Sequence, residues 1–292
     1  MKTQSHHRFL TPAKINPVLR ILYRRPDGYH QVALALVAVS LFDTITLGPA
    51  KEGLEFHANG MSEPVAMEDN LVVKAARAFA QEAGLPPNWA ITLDKHIPSG
   101  AGLGGGSGNA AGTLAALNHF TGHPLNSDQM IRLAASLGSD VPFFLNASPS
   151  WATGRGEQLT PMHTFPQLPL VILKPAFSIA TASAYKRAAR PPLAQDMPPF
   201  ALPDLATPKQ VLAALHNDFE EALAEPYPEL TQWKARLLEA GAAGALLSGS
   251  GSALFGVFHQ AEDRDRAAQT LASSHPQIRV FPCDTLSHHS YF

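Results

Sequence analysis

Residues Pro98–Gly112 read PSGAGLGGGSGNAAG, seven glycines in fifteen positions, and run straight into alanines and leucines. Each glycine costs roughly 0.5–1 kcal/mol relative to alanine in regular structure. A backbone without Cβ atoms can approach a phosphate closely, and a helix N-terminus behind it adds free N–H groups and the positive end of a dipole. A plain surface turn is the competing reading of the loop taken alone. Gly100, Gly102 and Gly105 satisfy G-x-G-x-x-G. The helix expected from Ser107 is followed, however, by a second capped helix at Ser127 and not by a parallel strand, which argues against a dinucleotide fold. A Walker A loop needs Lys-Ser/Thr after its last glycine, whereas Gly106 is followed by Ser107-Gly108. There remains a glycine loop opening a helix and suited to a polyphosphate, with Lys95 just ahead of it as a point charge.

Outward from the loop, the pattern is that of a folded α/β chain. The 292 residues are 45% hydrophobic and 16% charged, enough to build one large or two ordinary cores. The net charge of −2 gives no basic footprint for nucleic acid. Cys283 is the only cysteine, so neither an internal disulfide nor a cysteine zinc cluster can form. No apolar stretch near the N-terminus matches a signal peptide. The longest apolar run, Val32 to Phe42, is too short for a membrane helix and reads as a buried strand pair or a strand and turn. A cytoplasmic protein with no membrane partner is expected. The terminal pairs His6-His7 and His288-His289 are weak metal candidates.

AKINPVLRILYRR predicts a strand with Pro17 at an edge or bulge, and RPDGYH a turn. EDNLVVKAARAFAQEAG predicts a helix capped by Asp69 or Asn70 and stopped at Gly84. WAITLDKHIP is a strand feeding the glycine loop, and NSDQMIRLAASLG a further helix. Beyond it, LPLVILKP, GALLSGSGSALFGVF and QIRVFPCD predict strands, while ELTQWKARLLEAG and AEDRDRAAQTLASS predict helices. Arg190 to Pro208, with six prolines, reads as irregular. Strands and helices alternate without a regular βαβ rhythm, so α+β or mixed α/β is expected.

Phosphoryl transfer to an alcohol needs a group to take the hydroxyl proton and positive charge to balance the phosphates. Asp140, in LGSDVPFFL, is an acid among apolar neighbours and costly to bury unpaired; a turn or N-cap role is the alternative. Lys14, in TPAKINPVL, sits inside a strand pattern, where snorkelling is the usual explanation. Opposite charges in two apolar settings suggest a buried pair.

PAKIN, RPDGYH, EDNLVVKAAR, IPSGAGLGGGSGNAAGTLAALN, LGSDVPFFL, GRGEQLTP, Asn217-Asp218 and SGSGSALFGVF follow one another in an order that resembles the GHMP kinase superfamily and, within it, the kinases of 4-diphosphocytidyl-2-C-methyl-D-erythritol. The resemblance runs from about Pro12 to Phe258. It implies a two-domain GHMP kinase fold: a ribosomal protein S5 domain 2-like N-terminal domain over 1–160 and a ferredoxin-like C-terminal domain over 161–292. It also implies ATP with a divalent cation such as Mg2+, and a small-molecule acceptor carrying a cytidine diphosphate. Asp140 would take the proton of the acceptor's 2-hydroxyl, Lys14 would hold Asp140 ionised, and Asn16 would bond the polyol. Tyr29 would stack on cytosine, His30 would read its edge, and Tyr185 would supply a second aromatic. Asn70 and Lys95 would lie near adenine. The loop Pro98, Gly100, Ala101, Gly102, Leu103, Gly104, Gly105, Gly106 and Ser107 would hold ATP, with Ser107 as the hydroxyl toward the cation.

Three departures stand out: Gly108 where a second serine is usual, Pro17 where an apolar residue is usual, and SGSG in place of a threonine-led motif. Two alternatives remain at this stage. One is a GHMP kinase acting on another small alcohol such as mevalonate or homoserine, against which Tyr29 argues. The other is a nucleotide-binding protein without catalysis, against which Lys14 and Asp140 argue.

Overall fold

The computed structural model describes residues 6–60, 66–188 and 200–291. Its organising element is β3 (His30–Pro49), a single strand of 20 residues. Val32 to Phe42 is therefore neither a strand pair nor a strand and turn. Ser40 falls at a bulge, where Pro12 faces Phe42 and Ala13 faces Val39, and the strand continues because pairing resumes on either side of it.

On one edge run β1 (His7–Ile15) and β2 (Val18–Arg24), both antiparallel to β3 and collinear, with Ile15 opposite Val37 and Leu19 opposite Leu34. The expected strand is thus one line broken at Asn16-Pro17. Proline cannot donate to the ladder, and the Asn16 side chain closes the gap by donating Nδ2–H to Ala35 O at 2.9 Å. The hairpin closes at the RPDGYH turn, where Gly28 has φ 85° and Arg25 N donates to Tyr29 O.

The other edge of β3 carries β5 (Trp89–Asp94) and β6 (Ser150–Thr153). β4 (Leu54–Asn59) lies parallel to β5, and β7 (Gln158–Pro161) pairs with β6. Against this sheet pack α1 (Leu71–Ala83) and α2 (Gly105–Phe120), with α3 (Ser127–Leu137) and the short α4 (Val141–Phe144) beside them. Asn70, not Asp69, caps α1, accepting from Val72 N at 3.0 Å. Helix α2 begins at Gly105, two residues before the expected start, so its first turn holds three glycines and Ser107.

The second sheet comprises β8 (Pro169–Lys174), β10 (Gly244–Leu247), β11 (Leu254–Val257) and β12 (Arg279–Asp284), in the order β10-β11-β8-β12, all antiparallel. Helices α8 (Pro228–Glu239) and α9 (Ala261–Ser274) pack against it. Taken in chain order as β8-α8-β10-β11-α9-β12, this is the ferredoxin-like arrangement.

Between β8 and α8 lie α5 (Thr181–Arg187), α6 (Pro208–Ala214), β9 (His216–Asn217) and α7 (Phe219–Ala224). Much of the expected irregular stretch, 190–199, lies outside the described residues. Its end is helical: Pro208 is the first residue of α6, capped by Thr207, a position where proline's missing N–H costs nothing. β9 joins the first sheet, parallel to β2, and so ties the two halves together. Among the described residues no helix is long and apolar enough to cross a membrane. Nor does any group of three His, Cys, Asp or Glu form a metal cluster there, the terminal histidines included.

Candidate active site

The glycine loop docks on β1 by one backbone bond, from Lys14 N to Leu103 O at 2.9 Å. Its alternation has a physical cause. Ala101 and Leu103 are buried in the core, while Gly100, Gly102 and Gly104 between them take φ of 61°, 76° and 68°. At Gly102 a Cβ would stand 2.1 Å from Ser248 O, so the loop Ser248–Gly251 between β10 and β11 can press against it only because that Cβ is missing. Asn217 braces this second loop by donating Nδ2–H to Leu247 O and Gly249 O, each at 2.8 Å.

Lys14 lies under both loops. Its Nζ donates to Asn16 Oδ1 at 2.6 Å and Gly102 O at 2.7 Å, and reaches Asp140 Oδ2 at 4.0 Å. Burial pushes the Lys14 ammonium below the ordinary lysine value, and the charge of Asp140 pulls the other way. Asp140 occupies the N-cap position of α4 but makes no capping bond with its side chain, which remains one-third exposed at 34%. The turn role weighed for it thus does not occupy the carboxylate.

A cleft of about 550 Å³ opens over these residues. Lys14, Asn16, Asn70, Lys95, Pro98, Asp140, Tyr185 and the whole loop Gly100–Ser107 line it, so a single opening gathers residues spread over most of the chain. Tyr29 and His30 do not line it. Each instead touches a residue that does: the Arg155 guanidinium lies 4.8 Å from the Tyr29 ring centre, and the His30 ring stacks on Tyr185 at 5.3 Å. Burial, with a smaller push from Asp140, raises the Tyr185 hydroxyl to about 12, so it stays protonated at neutral pH.

Lys95 lines the cleft, but its charge is already engaged. Nζ pairs with Asp43 Oδ2 at 2.7 Å and also donates to Ile97 O. Asp43 is fully buried, and its carboxylate accepts three more bonds: His96 N and Ile97 N at 2.7 Å, and Asn109 Nδ2 at 3.0 Å. Thr11 Oγ1 completes the network by donating to Asn109 Oδ1 at 2.5 Å. This cluster locks the segment that enters the glycine loop onto α2. It was not anticipated from the sequence. The available signal was an aspartate within a long apolar run, and nothing local distinguishes that from a strand end.

Gly108 also finds its reason. A Cβ there would meet Pro12 O at 2.7 Å, so the residue lets α2 lie against β1 and does not face the cleft. Ser107, one position earlier, does line it.

Comparison with known proteins points to one family. The GHMP kinases N terminal domain family matches residues 70–148, and the GHMP kinases C terminal family matches residues 197–277. A 4-diphosphocytidyl-2-C-methyl-D-erythritol kinase of Syntrophus aciditrophicus is 38% identical over 274 residues, which cover 94% of this chain and 97% of that one. The chain belongs to this kinase family. A second member, from Syntrophotalea carbinolica, is 39% identical over 91% of this chain and 94% of its own length. A crystal structure of a 4-(cytidine 5'-diphospho)-2C-methyl-D-erythritol kinase superposes with a TM-score of 0.79 at 33% identity, covering 96% of this chain and 99% of that one. A homoserine kinase from Cytophaga hutchinsonii, at 16% identity and TM-score 0.71, shares the fold. The two-domain GHMP kinase architecture expected from the resemblance is therefore that of this kinase family.

Proposed function

We propose that this chain transfers the γ-phosphoryl group of ATP to the 2-hydroxyl of 4-diphosphocytidyl-2-C-methyl-D-erythritol, a step toward isoprenoid precursors that we assign to the cytoplasm. The observation that carries the reading is the Lys14–Asp140 pair at the edge of the glycine loop, its carboxylate uncommitted and part-exposed. In the proposed reaction the acceptor oxygen attacks the γ-phosphorus, its proton passes to Asp140, and the bond to the leaving ADP oxygen breaks. The Lys14 ammonium offsets the charge that builds up, and Asn16, already bonded to it, orients the polyol. The loop Gly100–Ser107 and the N-terminus of α2 receive the phosphates.

The donor set suits Mg2+ in one respect. Mg2+ keeps few protein ligands beside substrate phosphates, a Ser or Thr hydroxyl serves as one in phosphate-binding loops, and Ser107 in the first turn of α2 offers such a hydroxyl in the cleft. When bound with ATP, the cation would neutralise phosphate charge. Asn70, at the start of α1, and the Lys95 stem border the nucleotide side, while Tyr29, His30 and Tyr185 border the base of the acceptor. We place the division between the two domains at residues 160–161, the end of β7.

The test is a kinase assay offering the cytidylated substrate, mevalonate and homoserine in parallel, with the phosphorylated position read by phosphorus NMR. Turnover confined to the first substrate supports the reading. Turnover of another alcohol, or nucleotide binding without turnover, overturns it.

A further inference from the structure

We propose that Arg155 reads the diphosphate of the acceptor and thereby makes the enzyme prefer a nucleoside diphosphate-linked alcohol to the bare nucleoside or polyol. The inference rests on the proposed function above.

Arg155 stands in the turn between β6 and β7, flanked by Gly154 at φ 71° and Gly156 at φ 110°. The turn is anchored to β3 by the bond from Val32 N to Gly154 O at 2.9 Å. Glu157 shapes it from within: its Oε2 accepts from the Arg155 backbone N at 2.6 Å. The guanidinium is thus carried out over the Tyr29 ring, into the cleft that Asp140 also lines.

The charges around the cleft single this residue out. Among the described residues three cationic side chains line the opening: Lys14, Lys95 and Arg155. Two of them are engaged. Lys14 is held by Asn16, Gly102 O and Asp140, and Lys95 by Asp43 and Ile97 O. Arg155 is looser. Its ion-pair contact among the described residues is Nε to Glu157 at 3.9 Å, through a carboxylate already bonded to backbone, and its side chain is 40% exposed. Asp27, the other acid near this rim, is bonded to Arg25. A planar guanidinium with donors to spare suits phosphate oxygens, and the Tyr29 ring limits its orientations in advance.

Position gives the second line of argument. The acceptor is built in the order base, diphosphate, polyol. Tyr29 is the aromatic assigned to the base and Asp140 the acid assigned to the polyol hydroxyl. Arg155 touches the first and shares a cleft with the second, which is where a diphosphate joining the two would lie.

The experiment compares cytidine and CDP as inhibitors competing with the acceptor, in the parent enzyme and in Arg155→Met and Arg155→Lys, at low and high salt. The ratio of the two inhibition constants is internal to each protein, so a partly misfolded preparation does not bias it. In Arg155→Met the CDP constant is expected to rise about ten- to a hundredfold, the loss typical of one charge-assisted contact, with cytidine within about twofold. The salt dependence of CDP binding should flatten, and Arg155→Lys should recover part of the loss. An unchanged CDP-to-cytidine ratio in Arg155→Met, or a loss confined to the KM for ATP, overturns the assignment. A parent enzyme that neither turns over the cytidylated acceptor nor binds CDP overturns the proposed function beneath it, a result distinct from an unmoved ratio in an active enzyme.

Discussion

Two lysine–aspartate pairs flank the cleft, and they are built in opposite ways. Lys95 and Asp43 are 2.7 Å apart, with side chains 8% and 0% exposed, and every strong hydrogen-bonding position of the carboxylate is filled. Lys14 and Asp140 are 4.0 Å apart. The lysine is buried and bonded to two oxygens, but the acid is part-exposed and accepts no capping bond. A saturated buried pair resists change, because loss of either partner strands a charge in low dielectric. An open pair can accept a proton from a third group. The difference separates a brace from a reactive site although both pairs join the same residue types beside the same loop.

The largest expected effect tests the open pair. Asp140→Asn should lower kcat by about 10²–10⁴-fold, the usual contribution of a general base, while stability changes by less than about 1 kcal/mol because the acid is part-exposed and the buried Lys14 keeps its bonds to Asn16 and Gly102 O. Steady-state kinetics and denaturant melts measure both, and turnover within a few-fold of the parent would remove Asp140 from the chemistry.

Asp43→Asn should do the reverse, costing roughly 3–5 kcal/mol of stability as Lys95 loses its partner, with a smaller loss of kcat in the folded fraction. A stable but inactive Asp43→Asn enzyme would erase the distinction between the pairs.

Lys14→Met should lower kcat more than it weakens ATP binding, since a cation paired with the base acts mainly in the transition state. The alkaline limb of the parent's kcat/KM gives a finer check. The protonated lysine is the working form and burial lowers its pKa, so activity should fall as pH rises at a midpoint below the ordinary 10.5. A midpoint at or above that value contradicts a buried Lys14.

Gly104→Ala sharpens the comparison from the backbone side. The added Cβ would meet the Phe144 ring at 2.9 Å and Lys14 Cγ at 3.0 Å, at φ 68°. Its damage should therefore appear in kcat, through a displaced Lys14, as well as in the KM for ATP. Loss in ATP binding alone would mean that the loop and Lys14 move independently. The smallest effect is Thr11→Val, which removes the donor to Asn109 at the margin of the brace and should cost about 1–3 kcal/mol by denaturant melt with kcat little changed.

Much of this was legible along the chain, for reasons that can be named. The α1 cap at Asp69 or Asn70, the αL stop at Gly84, the RPDGYH turn and the strand–turn–strand around SGSG are local devices, each complete within a few residues. The length of β3 was not legible. Whether Ser40 ends a strand depends on whether partners continue on both sides, and those partners are contributed from residues 7 to 152. Helix α6 was hidden by counting prolines, although Pro208 stands where a helix tolerates one.

By itself the sequence determined that a glycine-dense backbone opens a helix, that one acid and one lysine sit in apolar settings, and that their motifs follow the order of a known kinase family. Only the tertiary structure decided which charges are committed. Lys95 and Lys14 are both lysines near the same loop, and Asp43 and Asp140 are both acids among apolar neighbours. Whether a carboxylate is saturated depends on donors brought from other elements: Ile97 and Asn109 for Asp43, and no capping N–H for Asp140. Hydrogen bonds have a reach of about 3 Å and must be filled in space, so a buried brace and a reactive acid remain indistinguishable until the chain folds around them.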